Sequence, residues 1–166
     1  MNQIDLNTFI AISAVVVALV SLIVSIWEGV SNRRHNKLSV RPSLRIDRNT
    51  GLNEDVRITL INTGLGPAII KKYKVFLEQK EMGEGTAGSP ISEAMIIMGY
   101  QPVCQVNEWI PEIGDTLIQG ELNNLLISKD YPNGYDQRQK LLKDFFRISI
   151  HIEFESMYKE TFYLHT

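Results

Sequence analysis

The chain of 166 residues has one cysteine, Cys104, so no disulfide can close within a single copy. Its three histidines, His35, His151 and His165, are scattered without the spacing of a zinc site, and no metal is expected. Cys104 lacks any local nucleophile signature and reads as a small core residue. No catalytic residue and no cofactor are therefore expected. Gly64-Leu65-Gly66-Pro67 has no Lys-Ser/Thr pair and opens no helix, so it is a turn needing positive φ rather than a phosphate loop.

Basic charge is scarce in most of the chain. Residues up to 48 hold six basic side chains (Arg33, Arg34, Lys37, Arg41, Arg45, Arg48) and three acidic ones (Asp5, Glu28, Asp47). The totals of 17 and 19 leave 11 basic and 16 acidic residues beyond, a net of −5. A body this acidic argues against general nucleic-acid binding. Glu153, Glu155 and Glu160 read as a solvated face, and the absence of disulfides suits a reducing compartment.

What the sequence does have is one long apolar run. Leu6 to Trp27 contains no charged side chain. A bilayer core of about 30 Å takes about 20 helical residues, so the run fits one crossing, with Trp27 at an interface. A cleaved signal peptide would carry a basic n-region and a shorter apolar core. Residues 1–35 are therefore expected to be an uncleaved anchor with a basic collar. Arg33, Arg34, Lys37 and Arg41 follow the run and nothing comparable precedes it. The positive-inside rule puts the C-terminal part in the cytoplasm, attached to the inner membrane, and makes the lipid bilayer a partner. Ala11, Ala14, Ala18, Ser21 and Ser25 follow a 3-4-3-4 spacing that continues to Glu28. Such a face lets helices approach closely, so a homo-oligomer is expected through it. Ser21, Ser25 and Glu28 would line any pore.

Residues 36–42 are expected to be a linker ended by Pro42, and 43–166 a cytoplasmic β-rich domain. Val56, Ile58 and Leu60 alternate with polar residues, as in a half-buried strand. After the turn at Asn62–Pro67, a second strand is expected with Ile69, Tyr73, Val75 and Leu77 inward and Lys72 and Lys74 outward. Lys71 falls on the apolar side. Trp109 and Ile110 are expected to be buried, Gly114-Asp115 to turn, and a helix to begin at Asp136. Two strands close the chain: 147–155 with Ile148, Ile150, Ile152 and Phe154 inward, and 160–165. The fold class is mainly β, a transmembrane helix plus a β-sandwich-like domain with one or two short helices.

The segment ITLINTGLGPAIIKKYKVFL resembles the start of CARDB-like, immunoglobulin-type domains of bacterial proteins. There a strand ends in an Asn-x-Gly turn and the next begins after a small residue, here Ala68. The wider layout is similar to a group of uncharacterised bacterial single-span proteins. They share the linker at 36–42, the turn at 62–68 and a Glu-Ser-x-Tyr hairpin at 155–158. In plan the chain also resembles membrane effectors of phage defence, including type III CRISPR effectors that answer cyclic oligoadenylate. That likeness implies a sensor whose cytoplasmic domain binds a small anionic ligand or nucleotide. The basic cluster Lys71, Lys72 and Lys74 is the candidate site. The alternative is an accessory subunit that tethers a partner protein through Met95, Ile96, Ile97, Met98 and Tyr100.

Overall fold

The computed structural model describes residues 6–49, 55–83, 89–100, 106–107, 109–128 and 135–166. Cys104, most of the Gly-rich loop expected at 82–90 and most of the loop at 130–136 lie outside them. The chain divides into two compact units, Met1–Ser39 and Val40–Thr166.

The described part of the first unit is one helix, α1 (Leu6–Ser39). Its 34 residues give about 50 Å at about 1.5 Å each, more than a bilayer core requires. The surplus carries Arg33, Arg34 and Lys37 on the same continuous helix. It is long and apolar enough to span a membrane, and none of its apolar window is buried. The serine hydroxyls donate to carbonyls four residues back: Ser13 to Phe9, Ser21 to Val17 and Ser25 to Ser21, at 2.8–2.9 Å. Each thereby sheds an unpaired donor that hydrocarbon would penalise. The helix reaches Ser39, so the expected linker at 36–42 contracts. Pro42 disfavours the α conformation only at Arg41, so nothing forbids it up to Ser39.

The second unit is a pair of antiparallel sheets around one apolar core. β1 (Leu44–Asn49), β2 (Val56–Asn62), β7 (Leu122–Ser128) and β5 (Val106–Asn107) form the first sheet, in the order β1-β2-β7-β5. The second has the order β4-β3-β8-β9, from β4 (Lys80–Met82), β3 (Ala68–Leu77), β8 (Ile148–Glu155) and β9 (Thr161–His165). β6 (Thr116–Leu117) pairs with the start of β3. Helix α2 (Pro90–Ile97) is capped by Ser89, whose hydroxyl accepts from the Ile91 amide at 3.2 Å. It contacts β3 and β4 on one sheet and β7 on the other, which closes that side of the sandwich. Helix α3 (Tyr135–Phe145) sends Leu141 and Phe145 into the core. Asp136 lies in its first turn rather than at its cap.

Alternation predicts β8 fully: Ile148, Ile150, Ile152 and Phe154 are buried. Each such side chain contributes about 1.5–3 kcal/mol on burial. In β3 the expected phase is wrong at one point. Ile70 pairs with Phe154 but Lys72 pairs with Glu153, so Lys71 is an extra residue in a bulge. The bulge resets the alternation. Ile70 is buried in place of Ile69, while Tyr73, Val75 and Leu77 still point inward. Ile110 is another correction: it is exposed, and only Trp109 packs on the core.

The turn at 62–68 has a different logic from that expected. Neither Gly64 nor Gly66 has positive φ. Both are glycine because the segment Val40–Ser43 passes too close for a side chain. A Cβ on Gly66 would lie 1.7 Å from the Val40 carbonyl oxygen, and one on Gly64 2.3 Å from the Ser43 nitrogen. Asn62, fully buried, holds this joint. Its Nδ2 donates to the carbonyls of Gly66 (2.8 Å) and Leu117 (2.9 Å). Its Oδ1 accepts from the amides of Gly64 (3.0 Å) and Ser43 (3.2 Å).

Two ion-dipole ties secure the opposite end. Arg48 donates to the Ile148 carbonyl at 3.0 Å and the Thr166 hydroxyl at 3.1 Å, with its guanidinium 5.6 Å from the Phe146 ring centroid. Burial pushes its pKa below the ordinary arginine value. The Tyr100 hydroxyl donates to Asp144, which also pairs with Arg147 at 3.1 Å. The Tyr100 bond, with Arg147 beside it, holds the Asp144 carboxyl below the usual range.

Candidate functional site

The outward side chains of the second sheet form two cross-strand rows. The hairpin at 156–159 sets the register Glu155↔Thr161, which brings Glu153 opposite Tyr163 and His151 opposite His165. After the Lys71 bulge, β3 adds Lys72 to the first row and Lys74 to the second. The rows are thus Lys72–Glu153–Tyr163 and Lys74–His151–His165, on neighbouring strands about 4.8 Å apart.

These six residues line one open concavity of about 190 Å³. Its rings are in mutual contact. The His151 and His165 centroids are 4.5 Å apart, edge to face, and Phe76 lies 4.7 Å from His151. Tyr163 and His165 lie nearly parallel at 6.2 Å. Lys74 is ion-paired with Glu81 at 2.5 Å. Lys72 has no ion pair among the described residues. Lys71, the third residue of the expected cluster, does not line the concavity; its ammonium sits 3.0 Å from Glu155.

The volume limits what this surface can hold. Enclosing ligand pockets usually measure about 300–1,000 Å³. A space of about 190 Å³ seats one planar ring or one phosphate, with the rest of a larger ligand lying across the open sheet. Cations and exposed ring faces at this spacing suit phosphate and a flat heterocycle. Glu153 adds an acceptor for an amine or hydroxyl.

A larger groove, about 600 Å³, runs on the open side of the sandwich between β1 and β9. Pro42, Leu44, Phe154, Phe162 and Leu164 line it, and the Arg41 guanidinium lies 4.8 Å from the Phe162 centroid. It exceeds the sheet-face concavity in size but has one lining cation, engaged with a ring, against two in the concavity, of which Lys74 is engaged with Glu81 and Lys72 has no ion pair among the described residues.

Of the residues expected to hold a partner protein, Met95 is buried and Met98 and Tyr100 pack against the core. Only Ile96 and Ile97 project into solvent, at 47% and 54% exposure. No group of three or more metal-ligating side chains occurs among the described residues. His151, His165 and Tyr163 escaped the sequence reading as site residues. The signal was present in the hairpin, because a register fixed at Glu155↔Thr161 aligns all three with Glu153. No protein-family model matches the chain, and no curated protein sequence matches it.

Proposed function

We propose that this protein is a membrane-anchored sensor whose β domain binds a small anionic ligand on the outer face of its second sheet. The observation that carries this reading is the convergence of Lys72 and Lys74 with the rings of His151, His165 and Tyr163 in one concavity. A nucleotide has the matching chemistry, a phosphate for the ammonium groups and a base for the rings. The similarity in plan to phage-defence effectors makes cyclic oligoadenylate the nucleotide to try first. The basic turns after the apolar run favour a cytoplasmic β domain on the inner membrane. The stripe Ala11, Ala14, Ala18, Ser21, Ser25 and Glu28 supplies a face along which helices pack into an oligomer. Ligand binding would then act by favouring one helix arrangement, which perturbs or permeabilises the membrane. The chain acts by binding, without catalysis. Two strands meeting at the Asn62 turn and Ala68 support kinship with CARDB-like domains.

The test is calorimetric titration of the detergent-solubilised protein with cyclic oligoadenylate, AMP and inorganic phosphate. Lys72→Glu/Lys74→Glu should weaken nucleotide binding by about tenfold or more, equivalent to about 1.4 kcal/mol. Failure of all three probes to bind, or equal binding by the double variant, would overturn the reading. Exposed Ile96 and Ile97 favour a second reading, an accessory subunit holding a partner protein at the membrane. Capture of one defined protein, lost in Ile96→Ser/Ile97→Ser, would support it.

A further inference from the structure

An unpaired sheet edge is a template for another strand, and folded chains guard such edges with charge, proline, a bulge or shortness. Among the described residues the edges are guarded with one exception. β1 carries Arg45, Asp47 and Arg48. β4 has three residues, including Lys80 and Glu81, and β5 has two. The stretch of β3 between β6 and β4 carries Lys71, Lys72 and Lys74. β9, Thr161-Phe-Tyr-Leu-His165, contains no lysine, arginine, carboxylate or proline. Its register with β8 runs without a bulge, and among the described residues β8 is its single partner.

The groove along β9 marks the same edge as incomplete. Phe162 and Leu164 point toward the core, yet both stay only partly buried, whereas Ile150, Ile152 and Phe154 on β8 are buried. The open space runs along Phe162 and Leu164 beside the buried Pro42 and Leu44, with the Arg41 guanidinium over the Phe162 ring.

We propose that β9 pairs antiparallel with β9 of a second copy, joining two second sheets into one and adding the partner's Tyr163 beside the concavity. The strand is complementary to itself about Tyr163. On the inner side, Phe162 meets the partner's Leu164 and Leu164 the partner's Phe162, two apolar pairs laid over the groove. On the outer side, Tyr163 meets the partner's Tyr163, and Thr161 meets the partner's His165. Aromatic–aliphatic and aromatic–aromatic pairs of this kind are favourable cross-strand neighbours. This self-complementarity argues for a second copy over a foreign peptide. It also sets the two Lys72/Lys74 concavities side by side across the two-fold axis. The proposal stands independently of the ligand reading, since it rests on the edge and the groove.

Register-specific cross-linking tests it on the full chain in detergent, in a Cys104→Ser background. Residues facing each other across antiparallel strands have Cα atoms about 4.5–5.5 Å apart, within the reach of a disulfide. Tyr163→Cys should therefore oxidise to a covalent dimer. Thr161→Cys alone should not, because its two copies lie about 13 Å apart at four residues' offset. Thr161→Cys/His165→Cys together should restore the dimer. Tyr163 is 64% exposed, so these changes leave the core intact. Absence of a Tyr163→Cys dimer would overturn the proposal. So would equal cross-linking of Tyr163→Cys and Thr161→Cys, which would reflect random collision of copies.

Discussion

Asn62→Asp should be among the most damaging single-atom changes available in this domain, with a dependence on pH that identifies its cause. The amide makes four hydrogen bonds at 2.8–3.2 Å, two as donor and two as acceptor, with no exposure to solvent. Aspartate keeps the two accepted bonds, from Gly64 and Ser43. Its second oxygen then faces the carbonyl oxygens of Gly66 and Leu117. An ionised carboxylate is repelled there, so the folded variant must keep a proton. One donated bond is lost, at about 1 kcal/mol. Holding the proton at pH 7, about three units above the usual aspartate value, costs about 4 kcal/mol more. The sum, about 5 kcal/mol, approaches the whole stability of a marginal domain.

The sign follows from linkage. The variant's folded-state pKa is raised, so its deficit is small below about pH 4 and grows by about 1.4 kcal/mol per unit above it. Asn62→Ala provides the contrast. It leaves two amides and two carbonyls unpartnered, at about 1 kcal/mol each, with no dependence on pH. Urea unfolding followed by Trp109 fluorescence in a Trp27→Phe background measures both, since Trp109 packs against the core. An Asn62→Asp deficit below about 1 kcal/mol at pH 7, or one that is flat from pH 4.5 to 7.5, would refute the reasoning.

Three other substitutions probe separate parts of the chain. Gly66→Ala should cost about 3 kcal/mol or more by forcing the Val40–Ser43 segment off the turn, whereas Gly99→Ala, with open space and positive φ, should cost about 1–2 kcal/mol; equal unfolding midpoints would contradict this. Tyr100→Phe removes the bond that depresses the Asp144 pKa. Its deficit should be about 1.5–3 kcal/mol at neutral pH and should fade as Asp144 protonates below pH 4; melting curves with a constant deficit would refute it. Ala18→Leu should disperse an oligomer held by the helix face, read as a smaller mass in detergent. An unchanged mass would place the interface elsewhere.

Much of the fold was legible because its strands obey alternation. β8 buries every second residue without interruption, and the Ser156–Lys159 hairpin fixes its partner. Legibility failed where one residue breaks the period. The Lys71 bulge cannot be read from Ile69-Ile70-Lys71-Lys72, since either phase buries one isoleucine. It moved Lys71 away from the other two lysines and onto Glu155. The turn glycines were legible as glycines but not for their reason, because the close approach comes from Val40–Ser43, more than twenty residues earlier in the chain. Each histidine, taken on its own strand, is an isolated outward residue. Their pairing is a property of two registers combined, and only that combination sets both beside Lys72 and Lys74.

For the proposed sensor, the turn at 62–68 is the stretch of sequence contact that a signal from β3 to α1 would have to use. β3 carries Lys72 and Lys74 and begins at Ala68, directly after the turn that binds Val40–Ser43. The Ser43 carbonyl accepts from the Thr63 amide at 2.8 Å and from its hydroxyl at 3.0 Å. Helix α1 ends at Ser39, and hydrogen bonds to the turn begin at Arg41. In sequence, Val40 alone separates the end of α1 from Arg41, whose carbonyl accepts from the Gly66 amide at 3.5 Å. A ligand biases the helices only through a difference in affinity between their arrangements, and slack would dissipate that difference. Inserting Gly-Ser-Gly-Ser between Ser39 and Val40 should therefore leave nucleotide affinity unchanged while abolishing nucleotide-dependent dye release from vesicles. Release that survives the insertion would show that the signal does not pass through this joint, and that ligand binding acts by assembling copies instead.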